Sequence, residues 1–111
     1  MHSYTVTIGR NYTNDGETFT LSDESWLSFQ GDVRHILFDQ CEANDHIEQH
    51  NGAGQWAGVW EESAKITLLR NEILPAPIIK SIEEHLRELL RPYDQDAIAL
   101  TIGTSILVGA L

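Results

Sequence analysis

Two kinds of hydrophobic spacing divide the first third of the chain. Residues 4–8 alternate apolar and hydroxyl-bearing side chains, with Tyr4, Val6 and Ile8 on one side, and a period of two predicts a half-buried strand. Residues 9–16 are rich in Gly, Asn and Asp, which predicts a loop. A helix is then predicted, capped by Ser22. Its apolar stripe consists of Trp26, Phe29, Val33, Ile36 and Leu37.

The remainder of the chain alternates between turn-forming and periodic segments. In order, we predict a polar turn at 39–45, a short strand at 46–50, a hairpin closed by 54–56 and a strand at 63–70. A second helix is predicted to start around Pro75 and Pro77 and to end before Pro92. After it we predict a strand at 97–102, a turn at 103–104 and a last strand at 105–108. Proline fits the first turn of a helix and stops its interior. In the strand at 63–70, Ile66 and Leu68 share one face.

This order predicts an α+β, ferredoxin-like sandwich: βαββαβ with an added C-terminal hairpin strand. Each helix is apolar along a single stripe, so we expect both helices to cover one face of an antiparallel sheet. A chain of 111 residues is large enough for one core and too small for two. We therefore expect a single domain spanning residues 1–111.

The chain carries a formal charge of −10, from 17 acidic and 7 basic residues. This balance opposes nucleic-acid binding, which depends on Lys and Arg. It suits solubility, a partner protein with a basic surface, or mimicry of a nucleic acid. Neither a membrane-spanning run nor the pattern of a signal peptide is visible. With Cys41 as the single cysteine, no internal disulfide can form, and we expect a cytoplasmic protein without a membrane partner.

Residues able to carry chemistry are present, but their spacing favours a non-catalytic protein over an enzyme. The best metal-ligand candidates are Asp39, Cys41, Asp45, His46 and His50. The predicted strand and turn separate them, so no metal or cofactor is expected. Arg10 and Asn11 follow the first strand, where a small ferredoxin-like domain could present polar groups, but the simpler interpretation is a turn in which Arg10 pairs with a carboxylate. Glu61 and Glu62 lie on opposite sides of a strand, so only one can be desolvated as a general acid or base.

Several short motifs resemble a bacterial family of unknown function. They are Ser22-Asp-x-x-Trp26-x-x-Phe29, Gly54-x-Trp56, Glu62-Ser63-x-Lys65 and Tyr93-x-x-Asp96-Ala-Ile98. The sequence is also similar to small uncharacterised proteins of actinobacteria and their phages, which carry Trp-x-Gly-Val-x-Glu-Glu-Ser and Gln-Asp-Ala-Ile-Ala-Leu-Thr segments. The resemblance covers most of the chain and implies no established activity.

The Gly/Trp-rich segment provides the predicted binding residues: Trp56, Trp60, Glu61 and Glu62. Trp is enriched at binding hot spots, although a Trp beside glycines more often packs at the rim of a sheet. We predict a small acidic interaction module that binds a host or cellular protein. A phage accessory protein is one kind of protein that fits this description. One alternative is a ligand carrier or cofactor-independent enzyme of the monooxygenase type, dimeric through its sheet, with a pocket of Trp, Tyr and His between sheet and helices. A nucleic-acid mimic is a further alternative.

Overall fold

Six strands and two helices make up the described part of the chain. The computed structural model describes residues 1–56, 58–104 and 106, with only the backbone at Trp56. In chain order the elements are β1 (His2–Gly9), β2 (Asn11–Asn14), β3 (Glu17–Thr20), α1 (Asp23–Phe38), β4 (His46–Trp56), β5 (Val59–Arg70), α2 (Ala76–Leu90) and β6 (Ala99–Thr104).

Four of the strands form one antiparallel sheet in the order β4-β5-β1-β6. The strand that follows α1 lies at one edge, β6 lies at the other, and β5 is inserted between β1 and β4. This is the split β-α-β arrangement of a ferredoxin-like sandwich. The predicted α+β class, with two helices packed on an antiparallel sheet, is therefore confirmed.

Alternation along the two central strands builds the core. Tyr4, Val6 and Ile8 of β1 are buried, and the register places Val6 opposite Ile66 of β5. Residues of the other parity point to the helix-free face, where Thr5 and Thr67 hydrogen-bond through their hydroxyl groups at 2.8 Å. One face of the sheet is thus apolar and covered, whereas the other is rich in hydroxyl groups.

Both helices present the stripes that the sequence predicts. The Ser22 hydroxyl accepts a hydrogen bond from the Ser25 N–H at 3.1 Å, which satisfies one free donor at the start of α1. Helix α1 buries Trp26, Phe29, Val33 and Leu37. Helix α2 begins after Pro75, ends before Pro92 and buries Ile82 and Leu86. No described helix combines the length and the apolar character that crossing a membrane requires.

The predicted loop at 9–16 is wrong, because most of this segment belongs to a second, two-stranded sheet. Strands β2 and β3 pair with Tyr12 opposite Phe19, and the two rings stack at 5.5 Å. Asp15 and Gly16 have φ values of +52° and +78°, which suit a two-residue hairpin turn. Asp15-Gly16 is a typical hairpin-turn pair, but the polar residues on both sides of it show no hydrophobic alternation that would predict strands.

Two further predictions differ, at 54–56 and at 103–104. Strand β4 runs through Gly54-Gln-Trp56, and the turn to β5 lies between Trp56 and Val59, because Gly58 rather than Gly54 takes a positive φ of 81°. Residues 103 and 104 continue β6 instead of turning, since they pair with Ser3 and His2. Of the predicted last strand at 105–108, every residue but Ile106 lies outside the described part of the chain.

Candidate functional site

An open cleft lies where the helix-free face of the sheet meets the β2–β3 hairpin. Its volume is about 790 Å³, within the range of small-molecule sites. Strands β1, β5 and β6 form its floor, the hairpin forms one wall, and the connection from α2 to β6 forms the other. The lining residues are Thr7, Asn11, Tyr12, Thr13, Glu61, Asp94, Gln95, Asp96, Ala97, Ile98 and Ala99.

Glu61 supplies the carboxylate on the floor. Its position in β5 has the opposite parity to the buried Ala64 and Ile66, so its side chain points to the helix-free face. One carboxylate oxygen accepts a hydrogen bond from the Asn11 backbone N–H at 3.0 Å. The carboxylate lies against Gly9, where a Cβ atom would come within 2.6 Å of it.

Asn11 connects the floor to both walls. Its side-chain amide donates to the Trp60 carbonyl at 2.9 Å, and its Oδ1 accepts from the Thr20 hydroxyl at 3.0 Å. The Gln95 side chain reaches the Asn11 carbonyl at 3.4 Å and the Tyr93 carbonyl at 3.1 Å. The β2–β3 hairpin and the connection to β6 are therefore bound to the same residue.

Arg10 fixes the chain on the other side of the sheet. Its guanidinium donates to Glu62 and to Asp23, both at 2.6 Å, and its Nε donates to the Leu21 carbonyl at 2.8 Å. The hydrogen bond to Glu62, followed by that to Asp23, raises the pKa of Arg10 above its ordinary value. The predicted pairing of Arg10 with a carboxylate is confirmed, and Glu62 locks β5 to the exit of β1.

The second wall of the cleft is held by Tyr93. Its ring stacks on Phe29 of α1 at 4.4 Å, and its hydroxyl donates to Asp32 at 2.6 Å. Burial, followed by the hydrogen bond to Asp32, raises the pKa of Tyr93 to about 12. Asp94 then adopts a positive φ of 53°, a backbone conformation that Asp accepts more readily than most residues other than Gly. This turn directs residues 94–97 toward the cleft.

The cleft is strongly negative. Glu61, Asp94 and Asp96 contribute three carboxylates, and its described lining contains no Lys, Arg or His. At 4 Å each carboxylate attracts a unit positive charge by about 1 to 4 kcal/mol, depending on the local dielectric. Tyr12 adds an aromatic surface supported by its stacking with Phe19. The chemistry of the lining suits a small cationic molecule that carries a planar ring.

The structure places Glu61 on a different face from Trp60 and Glu62. Glu61 is half-buried in the cleft, whereas Glu62 and Trp60 have the opposite parity and face the helix side. Trp60 is 67% exposed, and the side chain of Trp56 lies outside the description. Tyr12 is not among the predicted site residues, because the pattern of its segment predicts a loop. The predicted set also lacks the wall residues Thr13, Asp94, Gln95 and Asp96.

The predicted metal-ligand candidates do not form one cluster. His46 and His50 each lie near Glu48, with nitrogen–oxygen distances of 3.3 and 3.6 Å. Cys41 is half-buried near Asp45, and burial raises the pKa of its thiol. Among the described residues, no three His, Cys, Asp or Glu side chains converge so as to hold a metal ion.

The alternative function needs a ligand pocket of Trp, Tyr and His between sheet and helices, and the described residues do not form one there. Side chains such as Tyr4, Phe29 and Ile66 fill that interior and are fully buried. A smaller cavity of about 260 Å³ beside α2 and β6 is lined by Leu and charged side chains together with Ala97 and Ile98, and by no Trp, Tyr or His within the described chain. The cleft with an aromatic side chain and carboxylates lies on the opposite face.

Comparison with solved structures supports the fold assignment. A phage SAM lyase without ligand is similar over 92% of this chain and 78% of its own, with 19% identity and a TM-score of 0.54. The phage SAM lyase in complex with S-methyl-5′-thioadenosine is similar over 92% of this chain and 79% of its own, with 19% identity and a TM-score of 0.52.

CutA1 from Pyrococcus horikoshii is also similar, with 17% identity, coverage of 98% of this chain and 87% of its own, and a TM-score of 0.45. No protein-family model and no curated protein matches the sequence. The likeness to the phage SAM lyase at this identity shows a common fold, and function has to be argued from the site itself.

Proposed function

We propose that the cleft binds S-adenosylmethionine (SAM) and cleaves it to S-methyl-5′-thioadenosine. The observation that carries this proposal is the Glu61 carboxylate, held on the floor of an acidic cleft by the Asn11 N–H at 3.0 Å. Further support comes from the ferredoxin-like fold, which this chain has in common with a phage SAM lyase in complex with S-methyl-5′-thioadenosine.

Charge favours the substrate over the product. SAM carries a sulfonium, an α-ammonium and a carboxylate group, and is therefore a net cation. S-methyl-5′-thioadenosine is neutral, because the sulfonium charge disappears when the carbon–sulfur bond breaks. The three carboxylates on the cleft lining attract the SAM cation. They do not attract S-methyl-5′-thioadenosine in the same way, because this product carries no charge. The cleft is thus suited to bind SAM and to release the product.

The proposed reaction needs no co-reactant. A carboxylate oxygen of SAM attacks its own Cγ, the Cγ–S bond breaks, and the electron pair of that bond remains on sulfur. The products, homoserine lactone and S-methyl-5′-thioadenosine, together contain all the atoms of SAM. The main task of the protein is orientation, which can contribute several kcal/mol to such an internal displacement. Glu61 would bind the α-ammonium group, and Tyr12 would stack on the adenine.

The test is to incubate the purified protein with SAM and to measure both products by liquid chromatography and mass spectrometry. We expect products from the wild type and a loss of roughly 100-fold in rate for Glu61→Gln, because the ammonium group loses its charged partner. Glu88→Gln is the matched control, since it makes the same charge change on the exposed side of α2. Product formation no faster than in a protein-free sample would refute the proposal.

A second candidate function is favoured by the exposure of Trp60. This side chain is 67% exposed on the helix side of the β4–β5 hairpin, and Leu27 of α1 is 66% exposed. A groove of about 450 Å³ lies on the same side of the sheet, lined by Trp26, Leu27 and Glu62 among others, and Trp60 is not part of its lining. We propose on this basis an interaction module for a host or cellular protein, with Trp60 as the anchor and the chain's negative charge favouring a basic surface.

Capture of a partner from a cell lysate by the immobilised protein tests this second function. Trp60→Ala should lose the captured protein and keep SAM cleavage, because Trp60 contacts Asn11 only through its backbone carbonyl. Glu61→Gln should show the reverse pattern. Retention of the same partner by Trp60→Ala would exclude Trp60 as the anchor. We also propose a cytoplasmic location, as the sequence predicts, whereas nucleic-acid mimicry and a homodimer remain predictions.

A further inference from the structure

We propose that Gly9 and Asn11 are positioning residues, which hold the Glu61 carboxylate in its place on the cleft floor. This inference rests on the proposed function, because it concerns the group that would orient SAM. Gly9 ends β1 opposite Ser63, and Glu61 lies two residues before Ser63 in the neighbouring strand. The Glu61 side chain therefore lies diagonally across the exit of β1.

Gly9 leaves the space that the carboxylate occupies. A Cβ atom at this position would lie 2.6 Å from the Cδ, Oε1 and Oε2 atoms of Glu61. This separation is shorter than atomic contact allows, so one of the two groups has to move. The group that yields is the end of a flexible side chain, whereas the strand is held by the register between β1 and β5. An alanine at position 9 therefore displaces the carboxylate and retains the sheet.

Asn11 holds the Glu61 carboxylate in the space beside Gly9. Its backbone N–H donates to Oε2 of Glu61 at 3.0 Å, which fixes one oxygen and leaves the other free for a ligand. The Asn11 side chain is itself anchored at 2.9 Å to the Trp60 carbonyl, one residue before Glu61. Two hydrogen bonds thus join Asn11 to adjacent residues of β5, so the Asn11 N–H stays directed at the Glu61 carboxylate.

Gly9→Ala tests the inference, with Gly52→Ala as the matched control. Gly52 lies in β4 opposite Ser63, where an added Cβ would meet nothing within 4 Å. We expect Gly9→Ala to lower kcat for SAM cleavage by about 10- to 100-fold, since small displacements of orienting groups have effects of that size. Its Tm should change by less than about 4 °C, which corresponds to a small change in stability.

A spectroscopic measurement separates positioning from structure. In wild-type protein the Asn11 amide should exchange its hydrogen slowly, because it donates to the Glu61 carboxylate at 3.0 Å. Gly9→Ala and Glu61→Ala should both accelerate that exchange, and Gly52→Ala should leave it unchanged. Wild-type exchange at Asn11 in Gly9→Ala, or a wild-type kcat, would overturn the inference. If the wild type does not cleave SAM, the proposed function fails, and the exchange at Asn11 alone decides whether Gly9 positions Glu61.

Discussion

Tyr93→Phe provides a test of how the second wall of the cleft is held in place. The substitution removes a hydroxyl group that donates to Asp32 at 2.6 Å, and it keeps the ring that stacks on Phe29. A hydrogen bond to a charged acceptor contributes about 1.5 to 3 kcal/mol. Asp32 is exposed and regains water in the variant, so we expect the free energy of unfolding to fall by about 1 to 2 kcal/mol at pH 8.

The pH dependence gives the sharper result. Folding raises the pKa of Tyr93 from 10.0 to about 12, so the native state favours the protonated phenol. The associated stability is fully present below pH 10 and is lost as the pH rises through 12. Between pH 8 and pH 11 the free energy of unfolding of the wild type should fall by about 1.4 kcal/mol through ionisation of Tyr93, a loss that Tyr93→Phe cannot show. The stability advantage of the wild type over the variant should therefore narrow, and the variant should become the more stable protein near pH 12.

Urea unfolding followed by Trp fluorescence, at pH 8 and pH 11 and at constant ionic strength, measures this difference. Burial is the largest cause of the shift, so Asp32→Asn should keep most of the pH dependence while losing the charged acceptor. An equal stability difference between wild type and Tyr93→Phe at both pH values would refute the reasoning. It would mean that the phenol is as well solvated in the native state as in the unfolded chain.

Three further outcomes follow from the contacts around the core and the hairpin. Tyr4→Phe should cost about 1 to 3 kcal/mol in urea unfolding, because the Leu74 N–H, 2.7 Å from the Tyr4 hydroxyl, loses its buried acceptor. Gly16→Ala should cost about 1 to 2 kcal/mol by the same assay, since its φ is +78°, whereas Gly52→Ala should be nearly neutral. Arg10→Lys should accelerate hydrogen exchange at the Leu21 amide, because one ammonium group cannot serve Leu21, Asp23 and Glu62 together.

The parts of the fold that the sequence predicts are those in which local periodicity and final burial agree. Val6 and Ile66 alternate with polar residues along their strands, and they are buried opposite each other in the sheet. The α1 stripe shows the same agreement, from Trp26 to Leu37. In such elements the hydrophobic period of the sequence alone predicts which residues are buried, whichever element covers them.

The walls of the cleft could not be predicted in this way. The β2–β3 hairpin buries little apolar surface and consists largely of Asn, Thr and acidic residues, so it has no hydrophobic period to detect. Gln95 meets the Asn11 carbonyl across 84 residues of sequence. That contact depends on the turn at Asp94 and on the stacking of Tyr93 against α1, neither of which leaves a periodic signal.

The two adjacent glutamates show how strand parity divides the functions of this molecule. Both Glu61 and Glu62 are among the predicted binding residues, and their adjacent positions in a strand place them on opposite faces. Glu62 pairs on the helix side with Arg10 at 2.6 Å, a cation that it shares with Asp23, so its carboxylate stabilises the junction between β1 and β5. Glu61 accepts one N–H and keeps an oxygen free in a cleft without a described basic side chain. Separate substitution of each glutamate therefore distinguishes the ligand site from the structural lock.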